Sequence, residues 1–139
     1  MSGRVAGPGP VARNADTEVF FDGTAEGKFL LLGCQVCGSI NRPQAERCAS
    51  CDATGLQPVP ASGRATLVSW VVVHPRPREG EPPGPVTIPA IVELDEGPWW
   101  WSQLVDADTD TLTAGMPLTV EFRTPEGSEA VPVFTPAAG

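Results

Sequence analysis

Two closely spaced cysteine pairs constrain the fold of this chain more than any other feature of its sequence. Cys34 and Cys37 form one C-x₂-C pair, and Cys48 and Cys51 form the other. A two-residue spacing lets one tight turn present two sulfurs to a metal, and two such turns complete a tetrahedron. The pattern therefore predicts one structural Zn²⁺ ion held by all four cysteines.

The residues around the pairs refine this prediction. Gly38 follows the first pair, where a positive φ is often needed, and Asp52 has the same place after the second pair. Four thiolates leave no open coordination position, so the metal should maintain shape and not catalyse. Iron in a rubredoxin-like tetrathiolate electron carrier is the alternative, because it accepts the same ligands.

The rest of the composition narrows the function classes. The chain has 4 cysteines, 1 histidine (His74) and no tyrosine, so a catalytic triad would depend entirely on His74. Its formal net charge of −8 makes it a poor partner for nucleic acid or for an anionic membrane. No apolar run approaches the roughly 20 residues of a membrane span, and the first residues lack a signal-peptide core. A cytoplasmic protein is expected.

Period-2 patterns indicate a mainly β fold after a short N-terminal helix. Residues 1–15 read as a disordered tail, and a helix is predicted to start after Asp16 or Thr17. A short strand then leads into the first cysteine pair, and residues 54–63 have turn and linker chemistry. The later strands are predicted at 65–74, 88–94, 98–105, 118–122 and 131–135.

Five strands of uneven length, without a convincing helix among them, favour a small closed barrel of the OB-fold type. The prediction is thus a helix and zinc ribbon over 16–56 followed by an OB-fold domain over 57–139. A proline-rich loop at 75–89 connects the first two barrel strands.

An ordered series of short motifs runs along most of the chain. They are Phe20-Phe21, Gly27-Lys28-Phe29-Leu30, the two cysteine pairs with Arg42-Pro43 between them, Gly63-Arg64-Ala65, Ser69 to His74, Pro89 to Leu94, and Gly115 to Phe122. This series resembles the DUF35 family over roughly residues 17–136. The resemblance implies a rubredoxin-like zinc ribbon followed by an OB-fold.

The resemblance also implies an accessory subunit and not a free-standing enzyme. Such proteins pair with lipid-transfer-type thiolases or with aldolases of steroid side-chain degradation. Others accompany polyketide-tailoring acyltransferases or are fused to MaoC-like hydratases. The ribbon and helix usually contact the partner, and the OB-fold helps form its acyl-CoA channel. A nucleic-acid-binding ribbon/OB protein is the alternative from another class.

Several residues outside the metal site are candidates for these roles. Arg76 and Arg78 in the proline-rich loop could form bidentate hydrogen bonds with CoA phosphates, or could be solvated loop charges. The partner-binding candidates are Phe20, Phe21, Arg42, Trp99 and Trp101. The phenylalanines could instead pack on the body of the protein. In the Trp99–Trp101 strand, alternation places Trp100 on the opposite face from its two neighbours, so Trp100 is expected to pack inside.

Overall fold

Five strands close into a barrel, and three shorter strands and one helix pack at its side. The structure is a computed structural model that describes residues 5–77, 79–82 and 84–137. Its elements are α1 (Glu18–Ala25), β1 (Leu30–Cys34), β2 (Ile40–Asn41), β3 (Leu56–Pro60), β4 (Arg64–Trp70), β5 (Ile88–Leu94), β6 (Trp99–Leu104), β7 (Pro117–Arg123) and β8 (Val131–Pro136). Within the described ranges, no helix has the length and hydropathy needed to cross a bilayer.

The barrel strands follow one another in the order β4-β5-β6-β8-β7, and β7 pairs with β4 to close the circle. All neighbours are antiparallel except β6 and β8, which meet in parallel at Leu104 and Phe134. This order is that of an OB-fold, so the predicted five-stranded barrel is confirmed. The first barrel strand is shorter than predicted. After a bulge between Leu67 and Ser69 it ends at Trp70, and beyond it the pairing continues with a hydrogen bond from Val71 to Pro89 and an isolated bridge between Val73 and Thr87.

Strand β5 shows why the barrel forms. Ile88, Ala90, Val92 and Leu94 alternate with more exposed residues, and all four side chains are buried, as the period-2 pattern predicted. Leu67, Leu104, Leu118 and Phe134 come from the other four strands and complete the same core. Apolar burial of this kind is the dominant stabilising term of a small barrel.

The cysteine-rich segment forms a sheet in the order β2-β1-β3. Strand β3 corrects the sequence interpretation, which assigned 54–63 to turns and a linker. Pro58 and Pro60 suggested a linker because proline cannot donate to a ladder. The structure accommodates both because β3 lies at the edge of its sheet and pairs on one side only, with β1.

The predicted helix is present and packs against the rest of the chain through aromatic side chains. Phe20 of α1 lies with its ring centroid 5.8 Å from Phe29 and 5.9 Å from Trp100. Phe29 in turn lies 5.5 Å from Trp100 and 6.3 Å from Phe134. Helix, ribbon and barrel therefore share one aromatic cluster: Phe20, Phe21, Phe29, Trp100 and Phe134.

The N-terminal segment makes contacts that its composition did not indicate. Val5 bridges Val86, and the Val11 carbonyl accepts a hydrogen bond from the backbone N–H of Glu129. Arg13 donates to both carboxylate oxygens of Glu129 and to Asp22 of α1. Residues 1–4 of the tail predicted to be disordered over 1–15 lie outside the described residues, and the prediction did not anticipate the contacts of the rest because Val86 and Glu129 are distant in the sequence.

Candidate functional site

The four cysteine Sγ atoms form one cluster between the two loops of the ribbon. Every pair of Sγ atoms lies within 4.8 Å, with 3.5 Å between Cys37 and Cys48 and 3.6 Å between Cys34 and Cys51. Sulfurs at about 2.3 Å from a tetrahedral Zn²⁺ lie about 3.8 Å apart, whereas a disulfide needs about 2.05 Å. The cluster therefore fits a four-coordinate metal, and all four cysteines are free of disulfides.

The two cysteine turns are built in the same way. The N–H of Gly38 donates to the Cys34 carbonyl at 3.0 Å, and the N–H of Asp52 donates to the Cys48 carbonyl at 2.8 Å. Both residues have a positive φ, 80° at Gly38 and 64° at Asp52, as the sequence predicted.

Backbone N–H groups also point at the first sulfur of each pair. The N–H of Val36 lies 3.4 Å from the Cys34 Sγ, and the N–H of Ser50 lies 3.4 Å from the Cys48 Sγ. Such donors stabilise thiolate over thiol. These contacts favour the charged sulfurs that a metal requires.

Asn41 on strand β2 is hydrogen-bonded to the turn that contains Cys48 and Cys51, a contact that the sequence did not predict. Its side chain is 5% exposed, and its Oδ1 accepts a hydrogen bond of 2.9 Å from the N–H of Ala49. The pKa of Cys48 is lowered to about 6, first by the backbone N–H of Cys51 and then by the Asn41 side chain. The sequence gives no signal for this contact, because a single asparagine between the two cysteine pairs looks like an ordinary polar residue of an exposed loop.

Asp52 should cost stability through its backbone, since only glycine adopts a positive φ freely. We expect Asp52→Gly to raise the free energy of unfolding by about 0.5–1 kcal/mol in urea titration. The lost contact with Arg47 is a 3.6 Å pair between two exposed side chains and should matter little. Gly38→Ala is the matched control: a Cβ there meets no atom within 4 Å, so its expected loss of about 1 kcal/mol reports the backbone alone. Destabilisation by Asp52→Gly would contradict this account.

The predicted partner-binding residues lie in two different environments. Phe20 and Phe21 are buried within the chain, which agrees with the alternative that they pack on the body of the protein. Val19 is an exposed apolar residue of α1. Trp99 and Trp101 are exposed on the outside of the barrel, while Trp100 points inward to the aromatic cluster as predicted. Arg42 is exposed and lines a groove of about 870 Å³ that also includes Trp99.

This groove separates the loop after β2 from the turn between β5 and β6. Its walls include Arg42, Arg47, Pro98 and Trp99. A second cleft of about 380 Å³ lies between β6 and β8, and Phe20, Phe21, Trp100 and Trp101 contribute to its walls. Arg76 is exposed in the loop after β4, and Arg78 lies outside the described residues.

Comparisons with known proteins identify relatives over most of the chain. A family model described as the ChsH2 C-terminal OB-fold domain matches residues 58–123. A DUF35 domain-containing scaffold protein of Methanocaldococcus jannaschii is 32% identical over 99 residues, which cover 69% of this chain and 70% of the relative. A probable enoyl-CoA hydratase alpha subunit of Thermomonospora curvata is 27% identical over 91% of this chain, but this chain spans only 39% of that protein's length.

Solved structures agree with these relatives. The structure described as the Ltp2-ChsH2(DUF35) aldolase contains a chain that matches with a TM-score of 0.76 at 27% identity, covering 91% of this chain and 98% of the other. A DUF35 protein of Sulfolobus solfataricus matches with a TM-score of 0.62 at 15% identity, which supports the fold alone. The cysteine cluster, the barrel order and the scaffold relatives lead to one conclusion: the chain belongs to the DUF35 family.

Proposed function

We propose that this chain is a non-catalytic accessory subunit that binds a thiolase-like enzyme and helps form its acyl-CoA site. The partner would be a lipid-transfer-type thiolase or an aldolase, in lipid, steroid side-chain or related acyl-CoA metabolism in the cytoplasm. The observation that carries the proposal is the match to 98% of one chain in the structure described as the Ltp2-ChsH2(DUF35) aldolase.

The chemistry of the chain supports a subunit without its own catalytic groups. Its 4 cysteines all belong to the metal cluster, its 1 histidine is exposed, and it has no tyrosine. Relatives of similar length from archaea are named scaffold proteins. The nucleophile and the base of the reaction would then belong to the partner.

Zn²⁺ is the proposed metal, held by Cys34, Cys37, Cys48 and Cys51. When bound, it would cross-link the two cysteine turns and would offer no position to a substrate. One zinc per chain in purified protein supports this assignment. One iron per chain and a red colour would instead indicate the rubredoxin-like electron carrier.

Two groups of side chains have proposed contacts in the complex. Arg76 and Arg78 would bind the CoA phosphates. Phe20, Phe21, Arg42, Trp99 and Trp101 remain the proposed partner contacts, and because both phenylalanine rings are buried, they would act by fixing the position of α1.

The experiment is co-expression with a thiolase-like protein encoded in the same genome, followed by co-purification and an assay with and without this chain. We expect a stable complex and a loss of partner solubility or acyl-CoA turnover of about tenfold or more when this chain is omitted. A partner that is soluble and fully active alone would contradict the proposal.

A hydratase-type partner is the second candidate, because the Thermomonospora curvata relative is named an enoyl-CoA hydratase subunit. The same experiment with an enoyl-CoA hydratase of the genome separates the two. Binding to single-stranded DNA that weakens steeply with salt would favour the nucleic-acid alternative over both.

A further inference from the structure

The outer face of the sheet β4-β5-β6 has an apolar strip whose geometry follows from strand register. Ser69, Ile91 and Trp101 lie side by side in one row across the three strands. The next row places Pro89 beside Gln103, with Val71 next to Pro89 through the hydrogen bond from the Val71 N–H to the Pro89 carbonyl. On the other side of Trp101 along β6 lies Trp99, paired with Glu93. We call the set Val71, Pro89, Ile91, Trp99 and Trp101 the outer strip.

The residues of the outer strip are large, apolar and accessible to solvent. Trp101 is 76% exposed, Val71 60% and Trp99 56%, and Pro89 is also exposed. The neighbouring Trp100 faces inward, so the outward tryptophans are not required by the core. Because contiguous exposed apolar patches with aromatic rings are uncommon on monomers, such a surface indicates an interface.

Carboxylates border one end of this strip. Glu93 is exposed and lies directly across from Trp99, and Asp95 and Glu96 follow it in the β5–β6 turn. Arg64 reaches this end, but it is paired with Asp95 at 3.2 Å. Nine outward residues make up the three rows across β4, β5 and β6, and none of them is lysine or arginine: Thr66, Glu93 and Trp99; Ser69, Ile91 and Trp101; Val71, Pro89 and Gln103. This end of the strip therefore has a negative charge.

We propose that the outer strip is a docking surface for the enzyme partner, and that it receives an apolar patch bordered by lysine or arginine on that partner. The inference rests on the proposed function and extends it, since it adds Val71, Pro89 and Ile91 to the two tryptophans already proposed and specifies the chemistry of the partner's surface. The barrel wall is then a further contact surface, with Trp101 at its centre.

Charge decides among the occupants of this surface. A second copy docked strip to strip would offer Glu93 no lysine or arginine from these nine positions, so it would lack charge complementarity. An anionic lipid surface is disfavoured for the same reason, and the chain's net charge of −8 adds to it. A basic border on another protein matches the carboxylates and would also speed the encounter.

The test measures binding of the purified chain to the co-expressed enzyme by surface plasmon resonance, with substitutions at exposed positions that leave the core intact. Trp101→Ser should raise Kd by about 30-fold or more, as expected for an aromatic residue at the centre of an interface. Val11→Ser is the matched control, because Val11 is an exposed apolar residue outside the helix and the ribbon and only its backbone contacts the β7–β8 loop, and it should change Kd by less than about 2-fold.

A charge reversal tests the border separately. Glu93→Lys should slow association by about tenfold and weaken its dependence on salt. Glu126→Lys makes the same change in net charge in the exposed loop between β7 and β8, and it should alter the association rate much less. Equal effects of the two reversals would overturn the charge match.

The outcomes separate this inference from the proposed function. If the wild-type chain binds no thiolase-like or hydratase enzyme, the proposed function and this inference both fail. If the wild-type chain binds but Trp101→Ser binds equally well, or Val11→Ser is equally damaging, only this inference fails. Self-association that Trp101→Ser abolishes, seen by analytical ultracentrifugation, would identify a second copy as the occupant and overturn the choice of partner.

Discussion

Replacing one cysteine ligand should unfold the ribbon and abolish partner binding together. In Cys37→Ser we expect zinc content to fall to near zero, because a hydroxyl is a poor replacement for a thiolate. The ribbon strands are short, with 5, 2 and 5 residues, and have little core of their own. Structural zinc supplies on the order of 10 kcal/mol of folding free energy to such modules. The packing of the ribbon alone should therefore be too weak to keep it folded once the zinc is lost.

Amide hydrogen exchange measures this prediction residue by residue. Protection should disappear at Cys34 and Cys48, whose N–H groups donate within the ribbon, and persist at barrel positions such as Val92 and Leu104. Ser50→Ala is the control, since it changes the same turn but only the backbone of Ser50 contacts the cluster. A zinc-free Cys37→Ser chain that keeps ribbon protection and still binds its partner would contradict the structural role.

Phe29→Ala should be the most damaging single change outside the metal cluster. The ring is 2% exposed and joins α1, the ribbon and the barrel through its contacts with Phe20, Trp100 and Phe134. Truncation of a buried phenylalanine leaves a cavity and costs about 3–5 kcal/mol. A small domain is stable by only about 5–15 kcal/mol, so the loss would be a large fraction of the total stability. Urea denaturation followed by circular dichroism gives the free energy of unfolding.

Phe122→Ala is the matched control for this change. Phe122 is only partly buried at the edge of the core, so we expect it to cost less than half as much. Phe29→Leu should also be milder, because leucine refills most of the space. Equal losses for Phe29→Ala and Phe122→Ala would show that the aromatic cluster is not the joint between ribbon and barrel.

Local sequence patterns were enough to predict the cysteine cluster and the main barrel strands. Two C-x₂-C pairs predict that the four sulfurs converge because each tight turn presents two of them, and the positive φ at Gly38 and Asp52 follows from the same turn. Strand β5 was predicted with its bounds because its alternation of buried and exposed positions is strict. The inward position of Trp100 follows from the same period.

Other features were decided only by the tertiary structure, because they depend on partners distant in the sequence. Strand β3 exists because β1 offers it a free edge, although its two prolines indicate a loop. Asn41 gained its role from a turn eight residues away, and Arg13 from a loop 116 residues away. The outer strip became visible only through register, which brings Ile91 and Val71 beside the tryptophans of β6. Local patterns determine which face of a strand a residue occupies, whereas strand pairing determines which residues become neighbours.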